Sequence, residues 1–357
     1  MISTQRRPDA IMLRWMVFLA ITIVGLFYVK WFPYYNRAFV AAANHSIGNS
    51  ILMGTAAAPP APSWSAALDY AWAYGKAIWQ AMVLGLLLGS AIQTLLPYHW
   101  VAKAFGKTGF ASVAAAGALS VPSMMCTCCA APVVVGLRER QSSPGAAIAF
   151  WLGNTMLNPA TLVFMGFVLG WNWTAFRILI GILMVFGLGY LVNLMATQEE
   201  TTAAEAQLAN LSARSEAFRP DGSNAFVRWI ETFVRMAVRL IPEYIILVLL
   251  LGAARAWMFP EIGPGIGNSL PWIAAFAAAG VLFVIPTAGE VPIVQAMLAL
   301  GVGVGPAAAL LMTLPPISLP SLAMVWRSFR WQTLVFVAVA IVAFGIAAGF
   351  LAAALKF

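Results

Sequence analysis

Three cysteines lie within four residues of one another, in a segment bounded by two prolines. The segment runs from Pro122 to Pro132 and contains Cys126, Cys128 and Cys129, which are all the cysteines of the chain. Pro122 ends one helix because proline cannot continue it, and Pro132 suits the first turn of the next. Thiolates prefer soft ions such as Cu(I), and trivalent arsenic and antimony belong to the same chemical class. The pattern predicts a non-helical turn whose thiols bind a thiophilic metal or metalloid.

A second proline-bounded segment lies in the other half of the chain. It runs from Pro286 to Pro292 and contains Thr287 and Glu290. A carboxylate at membrane depth costs roughly 2.5–3.5 kcal/mol on insertion scales, and such groups usually face a cavity or relay protons. We therefore predict that Thr287 and Glu290 belong to the substrate site, with Glu290 suited to coupling transport to protons. The four prolines that bound the two segments are predicted helix breaks and hinges.

Two amide side chains precede a further proline in the first half of the chain. Asn154 and Asn158 lie just before Pro159 in an otherwise apolar stretch. Amides at such positions either contact the substrate or form hydrogen bonds between helices. Both interpretations stay open from the sequence, and we include the two residues among the candidate substrate ligands.

The composition is that of a protein with many membrane spans. Of 357 residues, 62% are hydrophobic and only 9% are charged, whereas soluble domains carry about 25% charged residues. The lysines and arginines lie at the ends of apolar segments, which does not indicate nucleic-acid binding. The phosphate-binding loop, the zinc-protease helix and the nucleophile elbow are all missing from the sequence. We expect an all-α polytopic membrane protein in contact with the lipid bilayer, not an enzyme and without a cofactor.

An internal repeat flanks the one long charged segment, because prolines and alanine-rich stretches recur in the same order on each side of it. The predicted organisation is an N-terminal transmembrane helix and external loop over 1–65, a first transmembrane repeat over 66–196, a cytoplasmic charged linker over 197–225, and a second transmembrane repeat over 226–357. Within the first region, residues 11–32 form the predicted extra helix.

The placement of lysine and arginine predicts the topology, because cytoplasmic loops carry the excess of both. With the N-terminus in the cytoplasm, most basic loops lie inside if residues 109–137 enter the membrane and leave on the same side. The charges favour this re-entrant path over a full crossing. We expect the protein to be integral to the bacterial inner membrane. The two halves are then inverted repeats, each with a proline-broken hairpin, which is a transporter architecture. Residues 270–300 form the corresponding hairpin.

Several motifs together resemble the predicted-permease family of ArsP-type and YraQ-like proteins. They are Cys126-Thr127-Cys128, Pro132, Pro144-Gly145-Ala146-Ala147 and Asn158-Pro159, and the resemblance covers roughly residues 66–354. Some members are arsenical efflux permeases in which turn cysteines bind trivalent arsenic. The adjacent third thiol looks like the arsenite and antimonite type. The chain departs from the pattern at Met124-Met125 and in the second turn, which has no cysteine.

The leading hypothesis is a permease for secondary active efflux of trivalent arsenic or antimony. The transported solute is then a small inorganic or organometalloid compound, and protons are the coupling ion. One alternative is a carrier or channel for a sulfur-containing anion or another small solute. An alternative of another class is a membrane thiol oxidoreductase, although the chain has no second cysteine pair to receive electrons. The sequence leaves open the transport direction and a homo-oligomeric assembly.

Overall fold

The computed structural model describes residues 8–48, 51, 60–196, 225–258 and 263–357, and the elements formed by these residues are helical. The α-helices are α1 (Pro8–Leu26), α2 (Phe32–Asn44), α3 (Trp64–Thr94), α4 (Tyr98–Phe105), α5 (Phe110–Ser120), α6 (Thr127–Glu139), α7 (Pro144–Met156), α8 (Pro159–Val168), α9 (Trp171–Ile182), α10 (Gly189–Met195), α11 (Ala225–Met258), α12 (Leu270–Leu282), α13 (Glu290–Ala299), α14 (Val304–Thr313), α15 (Leu319–Val325) and α16 (Trp331–Leu355).

Six helical segments among the described residues are long and apolar enough to cross a membrane. They are Met12–Asn44, Trp64–Thr94, Pro144–Val168, Trp171–Met195, Ala225–Arg255 and Trp331–Leu355. Each has at least the length of about 20 residues that a span requires. The prediction of an all-α polytopic membrane protein is confirmed.

The N-terminal helix is longer than the sequence indicated. A π-helical turn, Phe27–Trp31, joins α1 to α2, so helix continues to Asn44. The prediction of a loop beginning at residue 33 was therefore wrong for residues 33–44. Pro33 lies in the first turn of α2, where the missing N–H of proline has little cost. The predicted charged linker falls almost entirely on residues 197–224, which lie outside the described residues.

The same succession of elements occurs on both sides of that linker. Apart from the short α4, which follows α3, a long helix, α3 or α11, is followed by two interrupted pairs and then by a long apolar segment. The interrupted pairs are α5–α6 and α7–α8 in the first half, and α12–α13 and α14–α15 in the second. In each half the first arms of the two pairs pack together, α5 on α7 and α12 on α14. The interruptions, called breaks below, are residues 121–126, 157–158, 283–289 and 314–318.

Side chains from other helices bind the backbone carbonyls that the breaks set free. Such carbonyls need protein or water partners at membrane depth, since lipid offers none. The hydrogen bonds are Trp31 to Pro122 O (3.0 Å), Arg177 to Thr155 O (2.7 Å) and Met156 O (3.2 Å), Tyr74 to Ile285 O (3.3 Å) and Tyr70 to Val284 O. Three of the four breaks are therefore held by donors from distant segments.

Helix α3 packs unusually close to α6, which carries two of the cysteines. A Cβ atom at Gly85 would overlap the carbonyl oxygen of Cys129, and one at Gly89 would overlap that of Pro132. Small residues four apart allow two membrane helices to approach this closely. The glycines of α3 thus fix the distance between α3 and the thiol-bearing turn.

Candidate substrate site between the helix breaks

The four breaks meet around one buried cavity. Its volume is about 20 Å³, enough for a water molecule. The lining residues are Met125, Cys126 and Thr127 at the first break, Thr155, Asn158 and Thr161 around the second, Ile285, Pro286, Thr287, Ala288 and Glu290 at the third, and Pro315 in the fourth. Residues predicted from separate sequence motifs therefore lie at a single place between the two halves.

The three cysteines lie at the start of a helix and not in a non-helical turn. Met124 has a left-handed backbone with φ of 47°, which ends the preceding 3-10 turn, and α6 begins at Thr127. Cys126 is the N-cap residue of α6, and Cys128 and Cys129 belong to its first turn. The expectation of an irregular thiol turn was wrong in this respect.

Because α6 begins at Thr127, two of the thiols lie together on one face of the helix and the third lies apart from them. Residues three apart share a helix face, and Cys126 Sγ lies 2.6 Å from Cys129 Sγ. Cys128 lies on another face, where its Sγ is 3.9 Å from the Tyr74 hydroxyl and 3.9 Å from the Ser318 hydroxyl. Within the described ranges, no three His, Cys, Asp or Glu side chains are grouped to hold a metal ion.

The four predicted break prolines occupy different positions relative to the helices. Pro122 lies in a 3-10 turn and Pro286 in the irregular third break, whereas Pro292 is in the first turn of α13. Pro132 was expected in a first turn but lies inside α6, because that helix begins earlier than the motif suggested. The break is thus made by Pro122 and Met124, and Pro132 follows within the helix.

Glu290 is paired with an arginine that the sequence analysis missed. Arg177 Nη1 lies 2.7 Å from Glu290 Oε1, and both side chains are buried. The same guanidinium donates to two carbonyls of the second break, so one side chain links the second and third breaks. A lone arginine inside an apolar span is the sequence signal that could have identified it.

The two asparagines have different roles in the structure. Asn154 accepts hydrogen bonds from the Ser123 hydroxyl and from Met125 N (3.4 Å), so it braces the first break and does not line the cavity. Asn158 lines the cavity, and its Oδ1 caps α8 by accepting from Ala160 N (3.1 Å) and Thr161 N (3.3 Å). The structure thus brings Asn158, but not Asn154, to the cavity.

Thr287 lines the cavity and accepts a hydrogen bond from a second residue that the sequence analysis missed. The donor is Lys30 Nζ, at 3.2 Å from Thr287 Oγ1. Lys30 lies in the π-helical turn of the N-terminal helix and is only 3% exposed. It lies near the end of the predicted span 11–32 but near the middle of the observed helical segment Met12–Asn44, and charged residues at such depth are usually functional.

Interrupted helices that meet at a buried polar cavity, within a polytopic membrane protein, are the architecture of a membrane transport protein. The sequence comparisons agree with this class. The model of the predicted-permease family matches residues 7–150 and 64–354, and the chain belongs to this family. It is therefore a membrane permease, which handles a small solute and contacts the lipid bilayer.

Two curated relatives extend the comparison. The chain is 48% identical to the UPF0718 protein YraQ of Escherichia coli (strain K12) over 327 residues, covering 90% of this chain and 91% of that protein. It is 22% identical to a UPF0718 protein of Methanocaldococcus jannaschii over 307 residues, covering 68% of this chain and 82% of that protein. No solved structure matches the chain.

Proposed function

We propose that this permease exports a thiophilic metalloid, trivalent arsenic or antimony, and that Cys126 and Cys129 capture it. The observation that carries the proposal is that Cys126, which lines the cavity, and Cys129 bring their sulfur atoms together on one face of α6. Trivalent arsenic and antimony bind thiols by exchanging hydroxyl ligands for sulfur. Each exchange forms one bond to sulfur and releases the hydroxyl with the thiol proton as water, so no oxidant is needed.

The third thiol has a separate role in this proposal. Cys128 faces Tyr74 and Ser318 on the other side of α6, so the resting site offers two sulfurs and not three. A trivalent metalloid bound by Cys126 and Cys129 keeps one hydroxyl ligand, unless α6 rotates and brings Cys128 towards the cavity. Cys128 therefore joins the site only during the transport cycle.

Alternating access would come from movement of the two halves around the central cavity. The repeated succession of elements supports the inverted repeats, and hydrogen bonds near the hairpin ends support their re-entrant paths. Ser143 N donates to Phe105 O (2.7 Å), so the chain returns from α5–α6 to where it entered. Gly303 N donates to Ile266 O (2.7 Å) around α12–α13 in the same way.

The charges of the loops support a cytoplasmic N-terminus in a bacterial inner membrane. Arg138 Nε donates to Ser328 O (3.1 Å), which brings two basic loops to the same end of the molecule. The loop residues 263–269 and 300–303, near the other hairpin, contain no lysine or arginine. Since basic loops stay in the cytoplasm, the first end is the cytoplasmic one.

Metalloid export from cells carrying single serine substitutions tests the proposal. We expect Cys126→Ser and Cys129→Ser each to abolish arsenite and antimonite resistance, and Cys128→Ser to reduce export less. Membrane abundance of each variant, measured by an epitope tag, controls for misfolding. Export that is unchanged in both Cys126→Ser and Cys129→Ser contradicts the proposal.

A further inference from the structure

The cavity contains a buried hydrogen-bond donor with no partner. Asn158 is 1% exposed and lines the cavity, and its Oδ1 is occupied by the cap of α8. Among the described residues, its Nδ2 has no hydrogen-bond partner. Leaving a buried amide donor unpaired costs about 1–3 kcal/mol, and its position at a cavity wall indicates that a solute supplies the missing acceptor.

A buried ammonium group lies one hydrogen bond from the same cavity. Lys30 donates to Thr287, whose side chain lines the cavity, and it forms no ion pair in the part of the chain that the structure describes. A buried cation without a carboxylate partner has a large desolvation cost, which an anionic or strongly polar solute offsets.

The remaining charges at the cavity do not compensate Lys30. Arg177 and Glu290 neutralise each other, so with the three thiols protonated Lys30 leaves one net positive charge at this depth. Helices α6 and α13 also begin at the cavity, and neither N-terminus has a side-chain cap. Helix N-termini carry a partial positive charge and free N–H groups, which favour negatively charged oxygen atoms.

We propose that the cavity binds a solute in which oxygen atoms are attached to a soft atom, and that Lys30 and Asn158 bind those oxygens while Cys126 contacts the soft atom. This inference rests on the proposed function of the cavity as the transport site. It names the substrate class as an oxyacid or oxyanion of a soft element. Bare soft cations are excluded, because they meet a net positive charge and hydrogen-bond donors.

The proposal makes the N-terminal helix part of the transport site. Lys30 and Trp31 are consecutive residues of the π-helical turn, and they reach breaks in opposite halves, at Thr287 and Pro122. Consecutive side chains of a helix point in different directions, about 100° apart in a regular α-helix, so two neighbouring residues can reach two different breaks. Single π-helical turns often occur at functional sites, and this one directs two donors to the two halves.

Equilibrium dialysis of the full-length protein in lipid nanodiscs tests the proposal, with arsenite, thiosulfate and Cd²⁺ as the three probes. Asn158→Asp is the decisive variant, because it keeps an oxygen that caps α8 and replaces the free donor with a carboxyl oxygen, which accepts hydrogen bonds and can carry a negative charge. We expect it to weaken oxyanion binding about tenfold or more, the loss of one strong hydrogen bond. Asn193→Asp is the matched control, since Asn193 also bonds a backbone N–H and has a free Nδ2, but does not line the cavity.

Substitutions of Lys30 provide an independent second measurement. Lys30→Met should weaken oxyanion binding at least about tenfold, and Lys30→Arg should retain most of it, because a charged donor remains. Cd²⁺ should bind weakly to the wild type and more tightly to Lys30→Met. A merely structural lysine would not produce this opposite change for anion and cation.

The outcomes separate this inference from the proposed function. Arsenite binding that needs Cys126 but is unchanged in Asn158→Asp and Lys30→Met overturns the inference and leaves metalloid export standing. Thiosulfate binding that needs Lys30 and Asn158, without arsenite binding, supports the inference and contradicts metalloid export. Tight Cd²⁺ binding without oxyanion binding overturns the inference, and a wild type that binds none of the probes contradicts both.

Discussion

The ion pair between Arg177 and Glu290 connects the two halves of the molecule at the wall of the cavity. Both side chains are buried, and Arg177 also binds the carbonyls of Thr155 and Met156. Removing one partner of such a pair leaves an uncompensated buried charge, which costs about 3–5 kcal/mol. A proton carried by Glu290 would require this pair to break during each transport cycle.

Single and double substitutions of the pair test that requirement. We expect Arg177→Met to destabilise the protein more than Glu290→Gln, because it removes the carbonyl donors as well as the charge. The double variant should recover part of the stability that Arg177→Met loses, since it leaves no unpaired charge. Thermal unfolding in detergent measures the stabilities. Glu290→Gln with unchanged, still proton-dependent export would exclude Glu290 as the coupling group.

Sequence reasoning at the residue scale succeeded where a motif is local and failed where partners are distant. The motifs placed Cys126, Asn158 and Thr287 at helix breaks, and all three line the cavity. Arg177 and Glu290 are 113 residues apart, and Lys30 and Thr287 are 257 apart. Such pairs depend on how the helices pack, which residue spacing does not encode.

At the scale of elements, the close packing of α3 on α6 holds the thiol-bearing helix in place. Backbone atoms of α6 approach the α-carbons of Gly85 and Gly89 so closely that no side chain fits. The spacing of Gly85 and Gly89 permits a close helix contact, but the sequence does not tell which helix they contact. It also could not show that α6 begins at Thr127, because that depends on the left-handed Met124.

Alanine substitutions in α3 test this contact. Gly85→Ala should separate α3 from α6 and destabilise the protein by about 1–3 kcal/mol, as overpacking does, and it should reduce export by displacing Cys129. Gly75→Ala in the same helix is the control, since its added Cβ meets no atom and alanine favours helix by about 1 kcal/mol. Equal melting temperatures and equal export in the two variants would contradict the role of the contact.

At the scale of the whole molecule, the lengths of the broken helices fit a hairpin that enters and leaves on one side. Helix α5 has 11 residues and α6 has 13, which correspond to about 16 Å and 20 Å at 1.5 Å per residue. Each arm therefore reaches roughly the middle of a hydrocarbon core of about 30 Å. On the proposed re-entrant path, the break and its thiols lie near mid-membrane and both ends of the hairpin lie on one face.

Cysteine labelling in intact cells tests this topology. In a background with all three native cysteines replaced by serine, single cysteines are placed at Gly109, Glu139 and Gly267, which are exposed. With cytoplasmic hairpin ends, Gly109→Cys and Glu139→Cys should react with a membrane-impermeant maleimide only after permeabilisation. Gly267→Cys, next to the second hairpin, should react in intact cells, because an inverted repeat enters from the opposite side.

Labelling of Gly109→Cys and Glu139→Cys alone tests whether residues 109–137 form a re-entrant hairpin. If Gly109→Cys and Glu139→Cys react from opposite sides, residues 109–137 cross the membrane completely, and the inverted repeat is contradicted. If both react in intact cells while Gly267→Cys does not, the hairpins stand but the N-terminus is outside. Membrane abundance of each single-cysteine variant, measured with an epitope tag, checks that the labelled protein is inserted, because the serine background is expected to lack resistance. Labelling of both positions from the same side, whichever side that is, agrees with the hydrogen bond from Ser143 N to Phe105 O, which joins the two hairpin ends.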